Sequence, residues 1–449
     1  MTKAAVMLAG LFKPDRSSRP VGFEGEQVLL WGDVPVEVHD LIIVGAAGGR
    51  GRWFVQQAAH HPAFRVVALV DRLPAAAQAV AEDLGLADLP ILDALEEALA
   101  KVPCQAVLVA TPDGEHTEPV LAALAAGKTV YVEKPLAITL EDCLRIVRAD
   151  RAAGERTMVG FNLRYAPLYR RAKQMVQEGA VGRVLTIQAD EFYYGGRTYF
   201  RRWNRLRRYG GGLWITKACH DLDLLYWLAG ALPLRVSASA RLTHYVPKME
   251  AGQRCSACPI EAGCPDSHLR ALAQMSPLAR RIQELREAAG WPPADLCLYN
   301  AEKDTFDHGM VQIEFANEVL ACYTVNVVAS FTDRRLRLAG TEGTLEGVLS
   351  RPELLYWRRH EGEDASQAQR LPLLENETAP LEGHGGGDAT LLDHFAAFVR
   401  GQPCQRIGPA EASIAIALGL AATRASDTGQ TLSLEELPLW AELVKELDC

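Results

Sequence analysis

The sequence predicts an α/β half followed by an α+β half: a doubly wound parallel sheet, then a large, predominantly antiparallel sheet. Three observations carry this. From residue 41 to 162, short apolar runs alternate with helical patterns, the order that parallel strands with helical crossovers require. The first run, Leu41-Ile-Ile-Val44, feeds directly into the glycine-rich turn Gly45-Ala-Ala-Gly48-Gly49-Arg50-Gly51. Beyond residue 163 the pattern changes to segments that alternate apolar and polar residues, as strands covered on one face do. The chain has 449 residues, of which 49% are hydrophobic and 23% charged, enough for a large core and two or three domains. The expected division is an extension over 1–40, a first domain over 41–162 and a second over 163–449, the last interrupted by a cysteine-rich insertion at 247–303.

The net charge of −9 argues against nucleic acid as a general partner. No apolar run approaches the 18 residues of a membrane helix. The stretch after Lys3 makes a poor signal peptide, so a cytoplasmic protein is expected. The extension holds a strand candidate at Val28–Trp31 and no motif with a chemical reading.

Taken in order, Leu41–Val44 is uniformly apolar, as a parallel strand covered on both faces must be. The glycine turn follows, then a helix carrying Trp53, Phe54 and Ala58. The next strand, Val66–Val70, ends in Asp71. Strand, glycine turn, helix, strand and acid is the order of a dinucleotide site. Gly45, Gly48, Gly49 and Gly51 let backbone approach a pyrophosphate, with Arg50 among them. The helix start attracts its charge, and the acid binds a ribose diol. Asp71 favours NAD, whereas Arg72 beside it keeps NADP open. Helices at Ala75–Leu84 and Leu95–Ala100 precede a strand, Gln105–Ala110, that ends in Thr111-Pro112-Asp113. His116 then opens the helix Thr117–Ala126.

Thr129-Val-Tyr-Val-Glu133-Lys134-Pro135 reads as a buried strand ending in two charges, at the sheet edge where α/β proteins keep ligands. A helix at Leu140–Ala153 and a last strand at Met158–Phe161 complete the sheet, with Asn162, Arg164 and Tyr165 after it. Ala110-Thr-Pro-Asp113, His116, Ala126–Leu136 and Val159–Tyr165 together resemble the glucose–fructose oxidoreductase / inositol dehydrogenase (Gfo/Idh/MocA) family, from about residue 41 to the C-terminus. The resemblance implies a Rossmann domain for 41–162, and NAD(P) contacts from Thr111, Pro112, His116, Glu133 and Lys134. It also places Lys134 against both substrate and nicotinamide, and implies a homo-oligomer, dimer or tetramer, paired through the second sheet.

The second half opens with a strand at Val184–Tyr194. An arm with six arginines between Arg197 and Arg208 follows, interleaved with Tyr199, Phe200 and Trp203. Aromatic faces stack on sugars and arginine forks bind carboxylates, so Arg201 and Trp203 become substrate candidates and an acidic sugar a candidate substrate. From Thr216 the sequence reads as a helix with Lys217, His220 and Asp221 on one face. Family members carry Asp-x-x-x-His here. His220 matches the histidine that serves as acid/base, Thr216 stands at the aspartate's place, and Lys217 follows it. The resemblance is thus to a subgroup with Lys-x-x-His in this helix and a cysteine-rich insertion. Lys134, His220 and Lys217 are the expected catalytic residues, and Arg164, Tyr165, Asp223 and His384 further substrate contacts.

Cys255, Cys258 and Cys264 are spaced C-x2-C-x5-C, tight enough for one tetrahedral metal. Cys297, where the insertion ends, is the favoured fourth ligand, with His268 as its rival. A structural zinc is expected, with an iron–sulfur cluster as alternative. Hairpins at Thr305–Ala329 and Arg335–Gly347, the turn His384-Gly-Gly-Gly-Asp388, and helices Leu391–Arg400 and Ala410–Thr423 finish the chain. The expected activity is NAD(P)-dependent hydride transfer at a hydroxyl or keto group of a sugar, polyol or glycoside. Glycoside cleavage by transient oxidation, or a non-catalytic cofactor-bound sensor, are the alternatives.

Overall fold

Six short strands form one parallel sheet: β1 His39–Val44, β2 Phe64–Val70, β3 Ile91–Leu92, β4 Ala106–Val109, β5 Thr129–Glu133 and β6 Thr157–Gly160. The computed structural model describes residues 37–361, 364–373 and 382–447, so the strand expected at 28–31 lies outside the described residues. The strand order is β3-β2-β1-β4-β5-β6. It reverses between β1 and β4, which opens a crevice at their carboxyl ends, the place where such sheets bind ligands. Every residue of β4, β5 and β6 is buried, which explains their mainly apolar composition; Thr129, Glu133 and Thr157 are the polar exceptions.

The turn after β1 depends on glycine at two positions. Gly45 has φ +80°, and a Cβ there would lie 2.6 Å from the carbonyl oxygen of Ala110. A Cβ on Gly51 would lie 2.0 Å from the carbonyl oxygen of Gly45, so only glycine lets the helix Gly49–His60 start this close to β1.

The second sheet has nine strands: β7 Val184–Phe192, β8 Pro233–Arg241, β9 His308–Phe315, β10 Leu320–Asn326, β11 Asp333–Gly340, β12 Gly343–Val348, β13 Glu353–Arg358, β14 Gln369–Pro372 and β15 Leu432–Ser433. Their order is β14-β13-β12-β11-β7-β10-β9-β8-β15. β7 and β10 run parallel, and the other neighbours antiparallel. Ile187, Val311, Ile313, Tyr323, Leu336 and Leu338 are buried in one core with the helices Cys219–Ala229 and Pro409–Thr428. The two sheets share packing. Helix Pro409–Thr428 also lies against helix Leu140–Ala152 of the first region, and Val159 of β6 donates to the carbonyl of Ile407 at 2.9 Å.

The helix expected to run on from Thr216 is broken. Leu213–Thr216 forms one turn, the chain departs at Lys217 (φ −116°), and Cys219–Ala229 begins anew. Burial of the Lys217 ammonium on a neighbouring strand coincides with the break. The cysteine-rich insertion leaves after β8 and returns at β9. It contains a helix that periodicity did not reveal, Pro277–Ala288, started by proline and capped by Ser276, whose Oγ accepts from the amide of Ala279 at 3.2 Å. Among the described residues no helix is long and apolar enough to cross a membrane.

Gly51→Ala tests the turn. Its methyl would overlap backbone that cannot move aside, so the variant should lose about 2 kcal/mol or more in denaturant unfolding.

Candidate active site

The carboxyl end of the first sheet and the inward face of the second meet at a cavity of about 460 Å³. From the first sheet come Arg50, Glu133, Lys134 and Asn162; from the second half come Glu191, Tyr193, Tyr199, Lys217, His220, Arg334 and His384. Lys134 and His220, far apart in sequence, therefore open onto the same space.

Glu133 ends β5 and is buried; its Oε1 accepts from Arg50 Nε at 3.0 Å and from the Tyr131 hydroxyl at 3.3 Å. Lys134 follows, joined to Pro135 by a cis peptide. Its Nζ donates to the carbonyl of Thr216 at 3.0 Å, which aims the ammonium across the cavity and leaves two N–H protons for other acceptors. Behind it lies Asp113, pushed up to about 7 by burial against the pull of Lys134, with Oδ2 unpartnered.

Lys217 stands opposite. Its Nζ lies 2.7 Å from Glu191 Oε1 and 3.9 Å from the centre of the Tyr193 ring. Burial pushes its pKa down, with Glu191 opposing. Glu191 is 0% exposed. Burial works against its charge, yet Arg334 and Lys217 outweigh that and hold it below the usual carboxylate range. Arg334 Nη2 approaches Glu191 Oε1 at 2.5 Å, but off the N–H axis, so the attraction is one of charge rather than an aligned hydrogen bond. Arg334 Nε donates to Asp221 Oδ1 at 3.1 Å, and the Tyr323 hydroxyl to Asp221 Oδ2 at 3.0 Å.

His220 is 3% exposed and its Nδ1 has no partner. Burial first, then the positive charges of Lys134, His384, Arg334 and Lys217, push its pKa well below 6.5. It is thus a neutral imidazole at pH 7, able to accept a proton. The ring of His384 lies 5.5 Å away, on a turn where His384 itself has φ +51°. His384 Nδ1 is 2.8 Å from Asp388 Oδ2, and Asp388 also receives Arg50 at 3.0 and 3.2 Å and Asn162 at 2.8 Å.

Several expected contacts fall elsewhere. Arg164 is buried in a two-pronged pair with Asp223, both distances 2.7 Å, with Glu411 at 2.5 Å, so neither Arg164 nor Asp223 faces the cavity. Tyr165 is buried and donates to the carbonyl of Gln405 at 2.7 Å. Asp221 pairs with Arg334 instead of sharing one helix face with Lys217, because the helix is broken at Lys217. Arg201 donates to the carbonyl of Asp266 beside the cysteines, and Trp203 packs on Gly210. Four more arginines of the arm are also taken: Arg197 with Asp266 (3.7 Å), Arg207 with Asp427 (2.5 Å), Arg208 with Glu302 (3.4 Å), and Arg205 on the carbonyl of Glu302 (3.0 Å). Only Tyr199 of that arm reaches the cavity, so the arm gives no ground for an acidic substrate. Glu191 and Arg334 were not foreseen, although each sits in phase with the apolar inward residues of its strand, Ile187 for one and Leu336 and Leu338 for the other.

The residues of the glycine turn fit a dinucleotide. A Cβ would collide at Gly45 and Gly51, while the space in front of Gly49 is open at the start of a 12-residue helix. Asp71 Oδ2 accepts the amide of Ala47 (2.9 Å) and Oδ1 that of Leu73 (3.0 Å), which leaves a lone pair on each oxygen for a ribose diol. Arg72 pairs with Glu115 at 3.0 Å. Thr111 donates to the carbonyl of Glu115 at 3.1 Å. His116 is buried between the carbonyls of Pro135 (2.7 Å) and Thr111 (3.0 Å), so it braces two loops instead of meeting a ligand.

Cys255, Cys258, Cys264 and Cys297 line one small cavity of about 20 Å³, and His268 is not among its lining residues. The amide of Gly252 donates to Cys258 Sγ at 3.3 Å and that of His268 to Cys255 Sγ at 3.5 Å. All four are free thiols; among the described residues no group of three or more His, Cys, Asp or Glu is drawn together closely enough to hold a metal ion as it stands.

Residues 40–161 match the oxidoreductase family with an NAD-binding Rossmann fold, and residues 169–346 match the GFO/IDH/MocA C-terminal domain. YteT of Bacillus subtilis (strain 168), named as an oxidoreductase, is 28% identical over 77% of this chain and 85% of its own length. The inositol 2-dehydrogenase of Gluconacetobacter diazotrophicus is 42% identical, but over 28% of this chain and 37% of that protein. Among solved structures, a levoglucosan dehydrogenase in complex with NADH and levoglucosan superposes with a TM-score of 0.67 and 19% identity, covering 88% of this chain and 99% of that one, a likeness of fold.

Three outcomes follow from the buried charges. Glu191→Ala leaves Lys217 and Arg334 without their shared counter-charge and should cost about 3–5 kcal/mol of stability, read by denaturant unfolding. In a pH profile of kcat/KM for alcohol oxidation, the limb set by His220 should lie below pH 6.5, because its neutral form persists there. Asp113→Asn should remove any inflection near 7 and leave that lower limb in place.

Proposed function

Because the chain belongs to the Gfo/Idh/MocA oxidoreductase family, we propose that it is an NAD-dependent dehydrogenase that oxidises a hydroxyl of a neutral sugar, polyol or glycoside, or reduces the corresponding ketone. One observation carries the reading: an ammonium from the end of β5 and a neutral imidazole from helix Cys219–Ala229 line the same cavity, beside a turn that fits a dinucleotide.

His220 takes the hydroxyl proton on its ring as the alcohol is oxidised, and returns it in the reverse direction. Lys134, held by Thr216, places its positive charge where the carbonyl oxygen forms. Lys217 is fixed by Glu191 and orients a second oxygen of the substrate. NAD, when bound, supplies the redox step by accepting the hydride. Arg50, Lys217 and Arg334 are each paired with carboxylates, so the lining is close to electrically balanced and suits a polyhydroxyl compound without net charge.

NAD is favoured over NADP for two reasons. Asp71 stands where a 2′-phosphate would go, and Arg72 is already engaged by Glu115. A structural zinc on the four cysteines would fit the insertion: backbone amides already donate to the sulfurs of Cys255 and Cys258, and Cys297 rather than His268 shares the cavity. Thiols kept reduced in this way suit the cytoplasm. Self-association through the outer face of the second sheet, where Leu320 and Met310 are exposed, is the oligomer this reading favours.

A panel of sugars, inositols and uronates, followed at the nicotinamide absorbance with each cofactor, tests the proposal. Turnover should appear with a neutral substrate and with NAD at least about tenfold ahead of NADP. His220→Ala should lower kcat by about 10²–10⁴-fold with NAD affinity retained; an unchanged kcat would sink the assignment. Purified protein should hold about one zinc per chain, lost in Cys258→Ser; a metal-free, fully folded wild type would remove the zinc.

A further inference from the structure

The cysteine-rich insertion does not stay with the sheet it leaves. Its helix Pro277–Ala288 lies against helix Pro74–Asp83, the helix that follows β2 and Asp71, and Arg281 pairs with Glu82 across the contact at 2.7 Å. Near the end of that helix, Arg286 Nη2 donates to the carbonyl oxygen of Ala47 at 3.0 Å, inside the glycine turn. Arg286 is also an electrostatic neighbour of Asp71. Five residues on, the indole of Trp291 is met by two guanidiniums, that of Arg286 at 5.3 Å from the ring centre and that of Arg72 at 5.5 Å. The insertion has thus laid an arginine and a tryptophan over the two loops that present Ala47 and Asp71.

The base of this segment is held at several points. Asp295 accepts from Arg254 Nε at 2.8 Å and from the amide of Ser256 at 2.9 Å, and Cys297 donates its amide to the carbonyl of Gln253 at 2.9 Å, next to the cysteine cavity. Ordering a long arginine and an indole over a neighbouring loop costs conformational entropy. One hydrogen bond to the Ala47 carbonyl and the contact between Arg286 and Trp291 offset only part of it. A ligand at the loop would supply the remainder, since a guanidinium next to a ribose and pyrophosphate, and an aromatic wall next to a base, both gain on binding.

We propose that the insertion is a strap over the adenosine half of the dinucleotide site, and that Arg286 and Trp291 are cofactor-binding residues that it supplies. This rests on the reading that the glycine turn holds NAD. Arg286 adds positive charge beside Asp71 and the turn, and the layered Arg72, Trp291 and Arg286 form an outer wall. The strap must lift before the nucleotide leaves, so release is slow.

The test is binding to the full-length protein, without substrate: NADH affinity by calorimetry and NADH release by stopped-flow fluorescence, for wild type, Arg286→Ala, Trp291→Ala and, as a control on the exposed side of the same helix, Glu284→Ala. Arg286→Ala and Trp291→Ala should each weaken NADH about tenfold and release it faster, with the control unchanged. Trp291→Phe, which keeps an apolar ring, should fall in between and guards against misfolding of the alanine variant. Wild-type affinity and release rates in the Arg286 and Trp291 variants would overturn the strap and leave the dehydrogenase reading intact. A wild type that binds no NADH would remove both.

Discussion

Glu191 is enclosed completely, with the ammonium of Lys217 on one side and the guanidinium of Arg334 on the other. Without that carboxylate, four groups of positive or potentially positive character would crowd one cavity: Lys134, Lys217, Arg334 and His220. Their mutual repulsion at such close quarters would either expel one side chain or strip one of its proton. The carboxylate lets the lysine and arginine stay charged and fixed, and the surplus falls on His220, which responds by staying neutral. An imidazole kept neutral at pH 7 is the form a proton acceptor needs. The ion pairs under the cavity are therefore better understood as setting protonation states than as adding stability, in keeping with the small net gain that buried pairs usually give.

A second layer of charge runs under the first. Asp221, itself held by the Tyr323 hydroxyl, accepts from Arg334, while Arg164 and Asp223 form a separate buried pair, joined by the part-exposed Glu411, elsewhere on helix Cys219–Ala229. One helix thus presents His220 to the cavity and spends its two aspartates on two different arginines. This arrangement explains why its composition looks too polar for a core helix and too apolar for a surface one.

Much of this was legible in the sequence, for physical reasons that differ by region. The first sheet could be read because strands covered on both faces are mainly apolar, so Leu41–Val44 and Ala106–Ala110 stand out. Gly45 and Gly51 were legible because nothing else fits. Lys134, His220, Lys217 and His384 were foreseen and do share a cavity. The misplacements have a common cause: a charged side chain shows its type in sequence but not its partner. Arg164 and Asp223 satisfy one another across 59 positions, and most of the arginine arm is spent on Asp266, Glu302 and Asp427. Glu191 and Arg334 did leave a trace, a charge in register with inward-facing residues, a signal that alternation alone treats as noise. The helix Pro277–Ala288 buries only Ile282 and so had almost no apolar stripe to detect.

Arg50 touches both ends of the chain's chemistry. It leaves the glycine turn, is stacked over Trp53 and Phe54, and is gripped by Glu133 and by Asp388, 338 positions away. Asp388 in turn holds His384 at the cavity. A ligand that displaces His384 therefore disturbs the grip on Arg50, and one that draws on Arg50 loosens His384. Occupancy of the two halves is then thermodynamically linked, and linkage is mutual: whatever factor one ligand imposes on the affinity of the other, it must receive in return.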